Sequence, residues 1–153
     1  MVLEVGQSIP NLSLPDQTGE EKSMLDLLGS KGAIIYFYPK DNTPGCTTEA
    51  KDFQSLQEEF GAKGYTVVGI SKDSVKSHTN FITKHELAFT LLADVELKAC
   101  EGFGVWQEKK NYGKTYMGIV RSTFVVDAKG VVTEVYKKVR VKEHAQKVLD
   151  ALA

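Results

Sequence analysis

Gly32-Ala-Ile-Ile-Tyr-Phe-Tyr38 is an unbroken apolar run rich in β-branched and aromatic residues. That pattern predicts a central strand buried on both faces, and the run stops at Pro39. Upstream, Leu12 and Leu14 alternate with polar residues before the turn cluster Pro15-Asp-Gln-Thr-Gly19, predicting a short hairpin or extended arm within the first thirty residues. Beyond a polar loop over 40–45, Cys46, Ala50, Phe53, Leu56 and Phe60 recur at three- and four-residue steps, one face of a helix ending near Gly61 to Gly64. A buried strand follows at 65–70, a helix at 75–86 carrying Phe81 and Ile82, a short strand at 89–93 and a short helix at 97–103 containing Cys100. The strand 122–126, the turn Asp127-Ala-Lys-Gly130 and the strand 131–139 read as a hairpin, and 141–153 as a last helix with Ala145, Val148, Leu149 and Leu152 on one face. Alternating strands and helices that close with a hairpin predict an α/β fold, a mixed central β-sheet with helices on both faces.

At 153 residues the chain is expected to form one domain over 1–153. A formal charge of −1, with 25% charged residues in mixed order, argues against a partner that is nucleic acid, because phosphate binding needs positive charge gathered in excess. No apolar run approaches the roughly 20 residues that span a bilayer, so no membrane partner is expected. The first ten residues lack the basic and apolar regions of a signal peptide, so the expected location is cytoplasmic. Two cysteines make no disulfide framework, and in a reducing compartment each is either inert core or a reactive centre.

The most informative stretch is Pro39-Lys-Asp-Asn-Thr-Pro-Gly-Cys-Thr-Thr-Glu49. It places Cys46 in the first turn of a helix directly after a buried strand, and ligands of open α/β sheets bind at such strand ends. Unpaired N–H groups and the partial positive charge of the helix start favour a thiolate there, which makes Cys46 a candidate nucleophile. Thr43 can turn its hydroxyl into the same loop, while Pro39, Pro44 and Gly45 stiffen it and let its backbone approach a small ligand. The competing reading of Cys46 is an inert core thiol on an apolar helix face.

The segment from Tyr36 to Ala50 closely resembles the active-site segment of peroxiredoxins, in the bacterioferritin comigratory protein or PrxQ-like group. Their pattern Pro-x-x-x-Thr-x-x-Cys falls here on Pro39, Thr43 and Cys46. The resemblance extends nearly end to end, through Leu12-Ser-Leu-Pro-Asp16, Gly69-Ile-Ser71, Phe89-Thr-Leu-Leu92, Phe103-Gly-Val-Trp106, Gly113-Lys-Thr-Tyr116 and Arg121-Ser-Thr-Phe124. It implies a thioredoxin-like fold with an N-terminal hairpin extension and a cofactor-free antioxidant thiol peroxidase. Such an enzyme reduces hydrogen peroxide and organic hydroperoxides through a peroxidatic cysteine. By resemblance, the Cys46 thiolate attacks the peroxide and becomes a sulfenic acid. Arg121 stabilises the thiolate and the departing oxyanion. Thr43 and the N–H groups around Gly45 and Cys46 hold the peroxide oxygens, Pro39 shields the pocket, and Glu49 orients Arg121. Read alone, Arg121 is a solvated strand-end charge and Glu49 a helix-start carboxylate.

One departure concerns regeneration. Members of the group that resolve within the same helix carry a second cysteine five residues after the first, where this chain has Lys51. The other thiol, Cys100, lies 54 residues on. The expected route has thioredoxin, glutaredoxin or a small thiol attack the sulfenic acid directly. A Cys46–Cys100 bridge, which needs local unfolding, and an intersubunit bridge are the alternatives; the expected state is a monomer, with a dimer as the second option.

Other motifs fail. Gly113-Lys-Thr115 lacks the first glycine of a phosphate-binding loop, Glu108 standing in its place, and Gly69-Ile-Ser-Lys-Asp73 lacks the closing glycine of a hydrolase elbow. His78 and His85 lie two turns apart on their helix, so no metal site is expected, and His144 reads as a face residue of the last helix. Asn11-Leu-Ser13 matches a glycosylation acceptor by chance. Two other function classes compete with the peroxidase: cysteine acyl transfer, which needs a histidine base beside Cys46, and a non-catalytic binding module with a vestigial thiol.

Overall fold

A computed structural model describes residues 2–152. Five strands form the central sheet in the order β5-β4-β3-β8-β9: β3 (Gly32–Phe37), β4 (Tyr65–Ser71), β5 (Thr90–Ala93), β8 (Ser122–Asp127) and β9 (Val132–Tyr136). β3 runs parallel to β4 and antiparallel to β8, β4 is parallel to β5, and β8 is antiparallel to β9, so the sheet is mixed as expected. Every residue of β3 is buried, as its apolar run predicts. At the start of β3 the backbone meets β8 so closely that a Cβ on Gly32 would lie 1.8 Å from the Val126 carbonyl oxygen, and only glycine fits.

Alternate residues of β3 feed two core layers. Ile34, Tyr36 and Tyr38 pack with Cys46, Phe53, Phe60, Phe81 and Val148, beneath α1 (Pro44–Ser55), α2 (Gln57–Ala62), α3 (Val75–His85) and α5 (His144–Ala151). Ala33, Ile35 and Phe37 face the other way, onto Cys100 and Phe103 around α4 (Lys98–Gly102), the 3-10 turn Met24–Leu27 and the N-terminal hairpin of β1 (Ser13–Pro15) and β2 (Glu21–Ser23). Helices therefore cover both faces.

The elements differ from those expected from sequence at several points. The helix after the Cys46 loop is two, because Leu56 adopts φ −104°, ψ 5° and interrupts it. β9 stops at Tyr136 and α5 starts at His144, leaving a connection over 137–143 with Lys138 and Glu143 at positive φ. Within that connection the Val139 N–H donates to the Arg121 carbonyl at 2.9 Å, so the segment is tied across the site instead of extending the strand. A second ribbon, β6 (Trp106–Asn111) with β7 (Lys114–Ile119), was not expected at all. Its residues are mostly exposed and carry no apolar alternation. Among the described residues no helix is long and apolar enough to cross a membrane.

Candidate active site

The C-terminal end of β3, the central strand, opens at one end of the sheet, where the loop 38–43 leads into α1. Thr43 is the residue before the helix, in extended conformation, and Pro44, Gly45 and Cys46 form its first turn. Proline there has no N–H to leave unpaired, and the N–H groups of Gly45 and Cys46 have no acceptor within the helix. The Thr43 hydroxyl does not cap the helix. It donates to the Lys40 carbonyl at 2.8 Å, which fixes the side chain and leaves its oxygen lone pairs to accept from a ligand. Cys46 itself is 1% exposed.

Arg121 reaches the same point from β8. The register pairs Phe37 with Ser122, so Arg121, one residue before β8 begins, lies level with the start of the loop. Its Nη1 donates to Glu49 Oε1 at 2.6 Å and its Nη2 to Cys46 Sγ at 3.3 Å, one planar fork joining carboxylate and sulfur. A Cβ on Gly45 would come within 3.3 Å of that Nη2, so the glycine keeps the approach open. Glu49 is almost fully enclosed, and among the described residues its Oε2 has no hydrogen-bond partner. Burial, with a smaller push from Asp52, carries its pKa up to about 7 against the charge and hydrogen bond of Arg121. The Tyr36 hydroxyl, also unpartnered, is held well above the ordinary phenol range, first by burial and then by the charges of Glu49 and Cys46.

A second cluster, missed from sequence, fixes the loop from behind. Asp41 accepts from the Tyr38 hydroxyl at 2.6 Å and the Ser77 hydroxyl at 2.8 Å, and its Oδ2 lies 2.7 Å from His78 Nδ1. The Asp41 N–H donates to Asp73 Oδ2, which also accepts from the Ser71 hydroxyl. Burial pushes the Asp41 pKa up, but the hydrogen bonds and charge of His78, with Tyr38 and Ser77, outweigh it and hold the carboxyl below its usual value. His78 Nε2 faces the Leu92 carbonyl at 2.9 Å, so both ring nitrogens meet a hydrogen-bonding partner and the ring is held in place. Asp41, Asp73 and His78 bring ligand atoms within 4.8 Å of one another, yet those atoms are engaged in these hydrogen bonds. The sequence signal was slight: an aspartate in a polar loop and a histidine 37 residues later, joined only when β4 and α3 fold beside β3.

Pro39 and Arg121 line a cleft of about 510 Å³ with Val120, Val139 and the lysines of the β6–β7 ribbon. Lys109 donates to the Ile119 carbonyl at 3.0 Å. Its pKa is lowered by burial and by the Arg121 charge, with the Cys46 sulfur opposing. Cys100 lies elsewhere. It is fully buried in the core layer on the opposite sheet face, its N–H bonded to Asp94 Oδ2 at 2.7 Å. Burial and the Asp94 carboxylate push its thiol far above the reactive range. The sheet stands between the two sulfurs, and Lys51 is exposed on α1.

In sequence and fold the chain is similar to known proteins along almost its whole length. Residues 5–135 match the AhpC/TSA family. The peroxiredoxin Bcp of Bacillus subtilis is 47% identical over 152 residues, covering 99% of this chain and 96% of that protein. The Escherichia coli peroxiredoxin Bcp is 41% identical over 150 residues, covering 98% and 96%. Among solved structures, the Xanthomonas campestris bacterioferritin comigratory protein aligns with a TM-score of 0.89 at 42% identity, covering 97% of both chains. A cysteine-to-serine mutant of Xylella fastidiosa PrxQ aligns with a TM-score of 0.93 at 35% identity, covering 99% of this chain and 96% of that one. The thioredoxin-like α/β fold expected from sequence is thus the fold of these neighbours, and the chain belongs to the AhpC/TSA family as a peroxiredoxin of the Bcp and PrxQ group, a thiol peroxidase.

Proposed function

We propose that Cys46 is the peroxidatic residue and that a single domain holds the whole site. The Cys46 thiolate attacks one oxygen of the peroxide, the O–O bond breaks, and Sγ becomes a sulfenic acid. The other oxygen leaves as water or an alcohol once protonated. Arg121 Nη2 and the free N–H groups of the first helical turn lie where negative charge passes from sulfur to the departing oxygen. The Thr43 oxygen accepts from the peroxide O–H, Glu49 holds the guanidinium plane, and Pro39 limits water at the mouth. One observation carries this reading: a single guanidinium contacts both Sγ and a buried carboxylate, an arrangement suited to an anionic nucleophile. The Xanthomonas campestris relative is described by its alkyl peroxide reduction activity, which supports organic hydroperoxides beside hydrogen peroxide as substrates here.

Acyl transfer has less support. Sγ takes its hydrogen bond from Arg121, whereas His78 is paired with Asp41 and His144 Nε2 with the Thr123 hydroxyl at 2.8 Å. For regeneration we favour one-cysteine turnover in the cytoplasm by an external thiol, such as thioredoxin, glutaredoxin or a small thiol. Cys100 occupies the opposite core layer, and Lys51 stands where a local resolving thiol would be. We take the working form to be the monomer. Intact mass after one equivalent of peroxide tests the scheme: the expected product gains one oxygen on Cys46, and an added thiol traps it. Loss of two hydrogens within a monomer, abolished by Cys100→Ser, would make Cys100 the resolving residue instead.

A further inference from the structure

The β6–β7 ribbon is a largely exposed element, yet one of its lysines is fixed. Lys109 faces Tyr116 across the ribbon, and its side chain runs along β7 to Ile119, where Nζ donates to the main-chain carbonyl at 3.0 Å. Gly118 makes that route possible. A Cβ there would lie 3.0 Å from Lys109 Cδ and 3.3 Å from the Tyr116 ring, so bare backbone is the floor over which the aliphatic stem passes. The root of the ribbon is equally firm: Val105 and Ile119 are buried in the core, and the Val120 N–H donates to the Val105 carbonyl at 2.8 Å. The ammonium is thus pinned at the carbonyl two residues before Arg121. Stability gives no reason for this placement. Among the described residues Lys109 is in no ion pair, and on the wall it shares with Arg121 the nearest partner in charge is a like one. Burial and then the Arg121 charge lower its pKa, while the Cys46 sulfur opposes them. The other charges along that wall, Glu108, Lys110 and Lys138, are exposed, whereas Lys109 is half-buried. A cation held beside a second cation, next to a buried sulfur, concentrates positive potential where water screens it least.

We propose that Lys109 is a second cation of the peroxidatic centre, held by the ribbon so that its field reinforces Arg121 at Sγ and at the oxygen that leaves it. The inference rests on Cys46 being the peroxidatic residue. Lys109 makes no hydrogen bond to the sulfur; it is a positioning residue that acts through its charge. The Arg121 fork divides its hydrogen bonds between a buried carboxylate and the sulfur, so part of its charge is spent on Glu49. Negative charge passes from Sγ to the departing oxygen as the O–O bond breaks, and a further fixed cation beside the guanidinium favours that transfer. A solvated lysine would give little of this, because water would screen it and its rotamers would scatter the charge. The Gly118 floor and the Ile119 carbonyl remove both losses. An element that adds little to the core thereby acquires a task in the chemistry.

The test reads the field at Sγ directly, in a Cys100→Ser background so that Cys46 alone reports. The thiol is alkylated with anionic iodoacetate and with neutral iodoacetamide at one pH, and the ratio of the two rates is set beside the rate of oxidation by hydrogen peroxide. Lys109→Met should slow oxidation at least about fivefold and lower the iodoacetate to iodoacetamide ratio at least about threefold. Lys109→Arg should hold both readings within about twofold of the parent, because it restores the charge. Gly118→Val keeps the ammonium but pushes its stem off β7, and both readings should fall towards those of Lys109→Met. Lys114→Met, beside the turn at the far end of the ribbon, makes the same change in net charge and should leave both within about twofold. Circular dichroism checks that each variant is folded before its rates are compared. An unchanged ratio in Lys109→Met would overturn the proposal even if oxidation slowed, since loss of a mere brace slows both reagents alike. So would a Lys109→Arg protein with the ratio of Lys109→Met, a Gly118→Val protein with the ratio of the parent, or a Lys114→Met protein that matches Lys109→Met. Failure of peroxide to oxidise Cys46 in the parent would instead overturn the peroxidatic assignment, and the alkylation ratio would still judge Lys109.

Discussion

Replacing His78 by leucine removes the imidazole paired with Asp41. Both side chains are essentially sealed from solvent, 0% and 1% exposed, and the carboxylate would keep the Tyr38 and Ser77 hydroxyls but lose its 2.7 Å contact with the ring. Breaking a buried pair from one side costs about 3–5 kcal/mol, because the remaining charge stays dehydrated. At about 2–4 °C per kcal/mol for a chain of this size, the melting temperature should fall by about 6–20 °C. Replacing both partners, Asp41→Asn/His78→Leu, removes the stranded charge and should cost clearly less than the single change. The effect on chemistry follows from place: Asp41 stands five residues before Cys46 and tethers the loop to β4 and α3, so a loosened loop misaligns Thr43 and the first turn. Misplacement of reacting groups by about 1 Å can cost 10²-fold, so oxidation of Cys46 in the folded His78→Leu protein should slow at least about tenfold. Urea denaturation followed by circular dichroism, with stopped-flow oxidation below the transition, measures both. The reasoning is refuted if the single variant loses less than about 1 kcal/mol with its oxidation rate intact, or if the double variant is the less stable.

Arg121→Lys keeps the charge but cannot span Glu49 and Sγ together; losing one charge-assisted hydrogen bond, about 1.5–3 kcal/mol, predicts oxidation slower by about 10- to 150-fold, and a rate within twofold of wild type would leave Arg121 a mere point charge. Opposed pH effects are expected from two buried groups. Burial, with the charges of Lys147 and Arg121, lowers His144 to about 4, so its contribution is full above about 6.5 and is lost as pH falls through 4. Glu49, raised to about 7, contributes stability that is full below 4.5 and lost as pH rises through 7. Between pH 4.5 and 6.5, relative to wild type, Glu49→Gln should therefore become more stable with rising pH and His144→Gln less so. Urea midpoints that shift the same way in both variants would contradict the assignment.

What the chain discloses before folding follows its apolar patterning. β3 and the faces of α1 and α5 stand out because each buries a continuous run or stripe, and Cys46 stands out because a thiol directly after a strand and a Pro-Gly turn is chemically unusual. The β6–β7 ribbon buries only its Ile119 end, with Trp106 packed beside it, and so leaves no periodic trace, although its lysines form a wall of the cleft. The break at Leu56 is hidden because apolar spacing continues from Phe53 to Phe60 across it, both rings packing in one layer. Val139 and Val141 look like the continuation of a strand and the start of a helix, yet the segment between β9 and α5 turns aside to bond the Arg121 carbonyl. Arg121 and the Asp41–His78 pair depend on contacts between residues 75 and 37 positions apart, which only the sheet order creates; resemblance supplied the first, and nothing in the sequence supplied the second.

The most direct test is the second-order rate at which hydrogen peroxide consumes the Cys46 thiol, followed by rapid mixing and thiol trapping in wild type, Cys46→Ser and Cys100→Ser. Wild type and Cys100→Ser should react at closely similar rates, orders of magnitude above a free cysteine, and form one sulfenic acid on Cys46. Cys46→Ser should consume no peroxide while keeping its fold. Oxidation of Cys46 at the rate of a free cysteine, or turnover that persists in Cys46→Ser, would contradict the assignment of this thiol as the reacting centre.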